Sequence, residues 1–330
     1  MHYEYIFYIK KEKMSNKQPE VYFYVPYADV LQVREDEEKY TYANGIASRR
    51  KFLKSPLNYI GGKYKLLPQL IEFFPEKINT FVDLFSGGFN VGINVDCNKV
   101  ICNDMNTFII DLYKELYSKP IDETLNKITG RINEYGLSKE NEEAFKKFRD
   151  YYNKTKEPID LYTLSCYSFN YQFRFNNNKE YNNPFGRNRS QFSDNMKSNL
   201  ILFTEKLKSM NVEFLSEPFD KVDLSRLNSE DFVYCDPPYL ITTGSYNDGN
   251  RGFKDWKEEE EIQLYKVLDE LNKRKVKFAL SNVIEHKGKE NILLKEWSKK
   301  YKTIYLTSDY SNSSYNTKRD KSIEVLIINY

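Results

Sequence analysis

Phe81-Val82-Asp83-Leu84-Phe85-Ser86-Gly87-Gly88, running on to Val100-Ile101-Cys102-Asn103-Asp104, is the stretch that decides the fold. A short apolar run ends where two glycines let the chain turn sharply and let a ligand approach the backbone. An apolar-spaced segment follows, and a second strand-like run closes on Asn103-Asp104. Strand, glycine turn, helix, strand and acid predict the start of a dinucleotide-type α/β sheet. Asp104 then stands where an acid accepts hydrogen bonds from ribose hydroxyls, and Asp83 can meet the cationic amino group of an amino-acid-bearing cofactor. The stretch lacks both G-x-x-x-x-G-K-[ST] and the full G-x-G-x-x-G, which argues against ATP and NAD. Taken alone, the glycine pair is equally compatible with a plain structural turn.

Working outward, Val212–Leu215 and Asp231–Cys235 are strand-like, and Glu258–Arg274 places Ile262, Tyr265, Leu268 and Leu271 on one side of a helix. Its leading glutamates are most simply a helix start. Val276–Leu280, Thr303–Leu306 and Ile323–Ile328 supply three more strands, with a polar loop around residues 308–321. Residues 105–165 read as several helices, with Phe108, Leu112 and Leu116, then Phe145, Phe148 and Tyr152, at helical spacing. Residues 171–195, YQFRFNNNKEYNNPFGRNRSQFSDN, carry little aliphatic material and suit an ordered loop or short hairpin.

The strongest chemical signal is Asp231-Phe-Val-Tyr-Cys-Asp236-Pro237-Pro238-Tyr239, an apolar strand that stops at an acid, two prolines and an aromatic. A rigid strand-ending turn accounts for the prolines. The residue types also suit the exocyclic amine of a nucleobase, whose lone pair is delocalised into the ring. A carboxylate (Asp236) and a main-chain carbonyl (Pro237) can each accept one amine hydrogen and draw the nitrogen towards tetrahedral geometry. Tyr239 can stack on a base turned out of its duplex. Residues 56–68, PLNYIGGKYKLLP, add Tyr59, Gly61, Gly62 and Lys63 in a turn before an apolar helix, a pattern that a plain loop would also give.

The composition narrows the alternatives. With 50 basic and 48 acidic side chains the 330-residue chain carries +2, so any nucleic-acid surface must be local. An aromatic content of 16% excludes a disordered chain. Two histidines, His2 and His286, leave little material for a His-based zinc site or a Ser-His-Asp triad, and no metal is expected. Cys97, Cys102, Cys166 and Cys235 form no C-x-x-C pair, which suits a reducing cytoplasm. No apolar run reaches the roughly 18 residues of a membrane span, and the N-terminal segment does not read as a signal peptide.

PLNYIGGKY, FVDLFSGG, the acid in VICNDMN, NNPFG, DFVYCDPPYLIT, FALSNVIEHKGKENILLKEWSKKY and EVLIIN occur in an order that resembles the Dam family of DNA adenine N6-methyltransferases, the D12 class with alpha motif order. The resemblance spans roughly Ser55 to Tyr330 and is closer to the T-even phage branch. It implies a class I methyltransferase fold, a mixed and mostly parallel Rossmann-like sheet ending in an antiparallel strand. It further implies the cofactor S-adenosylmethionine, double-stranded DNA as partner and a bacterial or phage-infected cytoplasm. By motif, Tyr59, Gly61, Lys63, Asp83, Phe85, Ser86, Gly87, Gly88, Asp104 and Phe219 would line the cofactor site with Asp236, and Asp236, Pro237, Pro238 and Tyr239 would form the catalytic turn. The expected organisation is an N-terminal extension over 1–54, a catalytic domain over 55–104 and 206–330, and an inserted target-recognition domain over 105–205.

Within that insert the resemblance makes Phe169 a candidate wedge, and Asn170, Arg174, Asn176, Pro184, Arg187 and Arg189 candidates for base or phosphate contact. Residues 171–190 carry Arg174, Lys179, Arg187 and Arg189 against Glu180, a local +3. GATC is the target the family suggests, although residues 176–189 differ from the phage enzymes. Cytosine N4, RNA or a protein amide as acceptor, or a catalytically inactive DNA-binding relative, are the alternatives. Trp256, Trp297 and His286 are expected to be packing or surface residues.

Overall fold

The computed structural model describes residues 8–12, 21–25, 52–242, 256–307 and 322–330. The loop expected around residues 308–321 lies outside the described residues, as does most of the N-terminal extension. Two strands of that extension, β1 (Tyr8–Glu12) and β2 (Val21–Val25), pair antiparallel.

Eight strands among the described residues form one sheet. They are β3 (Thr80–Asp83), β4 (Lys99–Asn103), β5 (Val212–Leu215), β6 (Phe232–Cys235), β7 (Lys277–His286), β8 (Lys289–Glu290), β9 (Lys302–Leu306) and β10 (Ser322–Ile328). Their order is β5-β4-β3-β6-β7-β10-β9, with β8 folded back on the end of β7. β5, β4, β3, β6 and β7 run parallel, whereas β10 is antiparallel to both neighbours. This is the mixed sheet of a class I methyltransferase, as the motif order implied.

Strand alternation divides the core into two layers. Phe81, Val100, Phe232, Tyr234 and Leu326 face α1 (Leu67–Glu72) and the helices that follow β4: α2 (Thr107–Ser118), α3 (Ile121–Tyr135), α4 (Glu142–Thr155), α5 (Pro158–Cys166) and α6 (Asp194–Lys208). Val82, Val233, Phe278 and Val325 face α7 (Glu258–Lys273) and α8 (Ile292–Ser298). Phe148, Leu164 and Phe203 belong to the same buried cluster as Phe81, so residues 107–208 share a core with the sheet.

One local expectation fails. The segment between β3 and β4 forms a tight loop with a single 3-10 turn, Gly92–Asn94, where a helix was expected. Phe89 takes a left-handed φ of 56° and packs its ring where a Cβ on Gly92 would lie, 2.1 Å away. Asn90 and Asn94 accept from the Ser55 and Leu53 amides at 2.9 and 2.8 Å, tying the loop to the chain before α1. These side-chain-to-backbone bonds compete with helical ones and win over so short a stretch.

Candidate active site

Beyond the carboxyl ends of β3, β4 and β6 the strand order reverses, which is where ligands enter open α/β sheets. Asp83 ends β3, Asp104 follows β4 and Asp236 follows β6, so three adjacent parallel strands each deliver one acid to the same crevice. Burial raises all three. Burial pushes the Asp83 carboxyl up to about 8, opposed by the Gly92 amide and reinforced by Asp236 and Asp104. Burial raises Asp104 against two amide bonds. Such a cluster is satisfied by positive charge.

Asp236 already has one cation beside it. The Lys63 ammonium lies 2.8 Å from Asp236 Oδ2 and 3.6 Å from Glu324 Oε1, and it donates to the Gly61 carbonyl at 2.9 Å. Burial raises the Asp236 pKa, Lys63 lowers it and Glu324 raises it again. The Tyr239 hydroxyl lies 2.9 Å from Asp236 Oδ1 and 3.0 Å from Glu324 Oε1, and Lys63 sits 5.0 Å from the centre of its ring. Pro237 is buried and Pro238 exposed, which fixes the turn between these side chains. The turn that a plain loop could have explained thus delivers Lys63 to the Asp236 carboxylate. Its left-handed Gly61, at φ 79°, makes that possible.

Asp104 is spent locally as well. Its Oδ2 accepts from the Gly87 amide and its Oδ1 from the Asn106 amide, both at 2.8 Å, which fixes the glycine turn against the start of α2. Asp83 Oδ2 accepts from Gly92 at 3.0 Å. The Ser86 amide donates to the Asn103 carbonyl at 2.8 Å, and the Tyr113 hydroxyl donates to the Gly87 carbonyl at 2.7 Å. Tyr59 lies against the glycines: a Cβ on Gly87 would stand 3.0 Å from its ring and one on Gly88 3.1 Å from its Cβ. On the other side Phe85, Phe219 and Trp256 form a triangle of rings with centroids 5.5 to 5.6 Å apart. Acids fitted to a sulfonium and an ammonium, a turn without side chains, and an aromatic wall for a purine together fit S-adenosylmethionine. Among the described residues no group of three His, Cys, Asp or Glu side chains could hold a metal ion, and no helix is long and apolar enough to cross a membrane.

The expected target-reading residues divide into two groups. Phe169, Asn170, Pro184 and Arg189 converge: the Phe169 amide donates to the Pro184 carbonyl at 2.7 Å, and the Arg189 guanidinium lies 4.1 Å from the centre of the Phe169 ring. Asn58, next to Tyr59, donates to the Asn170 carbonyl at 2.6 Å, tying this loop to the glycine-turn side of the crevice. Asn170 and Tyr171 both hold left-handed φ angles, 53° and 56°, a strain found preferentially at functional loops. Arg174 and Asn176 lie instead on a short hairpin, where Asn182 donates to the Arg174 carbonyl and Asn176 Oδ1 accepts from the Asn178 and Glu180 amides. Arg187 is exposed and paired with Glu142 of α4.

Reading the sequence missed Glu324 and undervalued Trp256 and Glu261. Glu324 had a signal, a charge within the apolar strand EVLII, where only a partnered acid is tolerated. Trp256 forms part of the aromatic wall and donates to Glu261 at 2.6 Å. The fully buried Glu261, read as part of a helix start, also accepts from Tyr265, Asn282 and Asn291. Trp297 does pack, stacked on Tyr265 at 4.3 Å, and His286 meets Ser322 at 2.5 Å at the end of β7.

This fold with this crevice defines a class, and residues 59–312 match that of the D12 class N6 adenine-specific DNA methyltransferases, the family to which the chain belongs. It is 56% identical to the type II methyltransferase M.FokI of Planomicrobium okeanokoites over 99% of this chain and 48% of the relative. It is 55% identical to the modification methylase StsI of Streptococcus sanguinis over 86% of this chain and 44% of that protein. The DNA adenine methylase of Escherichia coli K12 is 28% identical over 86% of this chain and 96% of its own length. The chain spans about half the length of the more similar curated relatives.

Proposed function

We propose that this chain transfers the methyl group of S-adenosylmethionine to the N6 amine of an adenine turned out of duplex DNA, as the modification enzyme of a restriction–modification system in the cytoplasm. The observation that carries this reading is Asp236, held at the end of β6 by Lys63 beside two further acids. The names of the relatives favour a place beside the type II modification methylases over one beside the T-even phage enzymes.

When bound, S-adenosylmethionine supplies an electrophilic methyl on a sulfonium. Asp83 would hold the ammonium end, Gly87 and Gly88 would admit the chain of the cofactor, and Asp104 would add a ribose bond to the two amide bonds it accepts. Phe85 and Phe219, with Trp256, would form the aromatic wall beside the adenine ring, and Tyr59 and Lys63 would close the near side with Ser86 and Gly61. Asp236 and the Pro237 carbonyl would accept the two hydrogens of the target amine, while Tyr239 stacks on the base. The lone pair of the amine so positioned would take up that methyl group, the sulfonium leaving as a neutral thioether. The nitrogen, now acidic, loses one proton through Asp236 to water. Asp236 therefore positions the amine and need not be a strong base.

Residues 105–205 would read the target, with Phe169 entering the stack, Asn170, Pro184 and Arg189 beside it, and Arg174, Asn176 and Arg187 flanking. GATC is the candidate target suggested by the Dam resemblance. Nucleoside analysis of duplex DNA and of RNA after incubation with labelled cofactor tests the acceptor. N6-methyladenine from the duplex alone is expected, and N4-methylcytosine or label in RNA would overturn the reading.

A further inference from the structure

Both oxygens of Asp236 are occupied from within the protein, Oδ2 by Lys63 and Oδ1 by the Tyr239 hydroxyl. The bond to Lys63 neutralises the acid. The second bond takes up one lone pair of the oxygen left for the target amine and weakens it as an acceptor. A phenol has one hydrogen, and here it has two carboxylate neighbours at almost equal distance, 2.9 Å to Asp236 and 3.0 Å to Glu324.

The fold takes some trouble to place Glu324. It is 2% exposed, on the same side of β10 as Leu326 and Ile328. Its register against β7 slips between Ile323 and Glu324, so that Ile323 faces Glu285 while Glu324 faces Val283. Ile284, skipped by this bulge, keeps its carbonyl satisfied by the Asn291 amide at 3.0 Å. Bulges of this kind re-aim side chains beside active sites. Burying a carboxylate this deeply is costly unless it is partnered, and its partners here are the catalytic tyrosine and lysine.

We propose that Glu324 is a positioning residue that takes over the Tyr239 hydroxyl when the target base arrives, leaving Asp236 Oδ1 to the amine. The inference rests on the methyl-transfer reading of Asp236. Without a base, the hydroxyl holds the acceptor position on Asp236. With a base stacked on the ring, the hydroxyl turns its hydrogen to Glu324 and remains satisfied, so freeing Asp236 exposes no buried donor. Lys63, between both acids, keeps two carboxylates tolerable in one pocket. Without an acceptor at 324, the hydroxyl can be satisfied only by Asp236, in competition with the amine.

A double-mutant cycle tests this, read by single-turnover methylation of duplex DNA with S-adenosylmethionine and DNA affinities measured alongside. Glu324→Ala should slow methyl transfer about 10- to 100-fold with both affinities changed less than about threefold, and Glu324→Gln, which retains an acceptor oxygen, should recover at least about tenfold of that loss. In a Tyr239→Phe background there is no hydroxyl to rehouse, so Glu324→Ala should cost less than about threefold. Equal slowing in both backgrounds, Gln as slow as Ala, or no slowing by Ala would overturn the proposal. Glu324→Met, which fills the volume without an acceptor, replaces Ala if Ala does not fold. Should the unaltered chain methylate no DNA, the methyl-transfer reading fails. Should it methylate and the cycle show no coupling, the role of Glu324 alone falls.

Discussion

The turn around Asp236 and the loop around Phe169 are built in opposite ways. Around Asp236 the polar atoms are buried and mutually paired: Lys63, Tyr239 and Glu324 come from separate parts of the chain, and each contacts at least two others. Around Phe169 the backbone is held by side chains such as Asn58 and Asn183, while the charges of Arg187 and Arg189 stay exposed. Chemistry common to a family needs one geometry, so it is over-determined. Choice of sequence needs a stable frame with replaceable outward groups. Arg187 also shows that an expected DNA contact can find a partner within its own protein, here Glu142.

The largest break in this comparison is Asp236→Ala, which should lower methyl transfer by at least about a thousandfold while S-adenosylmethionine affinity, measured by calorimetry, changes less than about threefold. Next is Lys63→Ala, which strands Asp236 and Glu324 as two buried acids; loss of one partner of a buried pair costs about 3 to 5 kcal/mol and should appear in the denaturant midpoint. The loop counterpart is Gly186→Ala. Its Cβ would lie 2.0 Å from Ser190 Oγ and 2.8 Å from the Ser168 carbonyl, so the loop must shift. Overpacking of this kind costs about 1 to 3 kcal/mol. DNA affinity should fall while cofactor affinity holds, and an equal fall in both would merge the two regions into one unit.

A pH series separates the regions more finely. The Asp83 pKa is raised to about 8 in the folded protein, so between about 4, its value in an unfolded chain, and 8 the folded state holds the extra proton. Stability of the free protein from this group is therefore highest at low pH and declines as pH rises through that window. A cationic ligand favours the ionised form. S-adenosylmethionine should bind up to about tenfold more tightly per pH unit as pH rises towards 8, with proton release seen calorimetrically in buffers of different ionisation heat. Asp83→Asn should flatten the slope. DNA affinity of the loop should not follow it. The smallest effect expected is Arg187→Ala, an exposed residue paired with Glu142, which should reduce the salt slope of DNA binding by about 1 with target choice unchanged; relaxed choice at one position would make it a base reader instead.

Legibility in the sequence follows the same division. Asp83, Asp104 and Asp236 were readable because each ends a strand, where alternation and turn chemistry leave few alternatives. The loop after Gly88 departs from the expected helix because its determinants, the bonds of Asn90 to Ser55 and of Asn94 to Leu53, join segments more than thirty residues apart. The charge of Glu324 within an apolar strand marked it as partnered but not with what, and its partners, like those of Trp256, follow from contacts made in three dimensions: a strand bulge in one case and a triangle of rings in the other. The grouping of Phe169 with Arg189, and the diversion of Arg187 to Glu142, likewise depend on where α4 packs.

The most direct test of the central claim is base-resolved mapping of methyl groups in a plasmid incubated with S-adenosylmethionine and either the unaltered chain or its Asp236→Ala variant. N6-methyladenine at one recurring short sequence with the unaltered chain, and none with the variant, is the predicted result. Methyl groups on cytosine, or an undiminished adenine signal with Asp236→Ala, would contradict it.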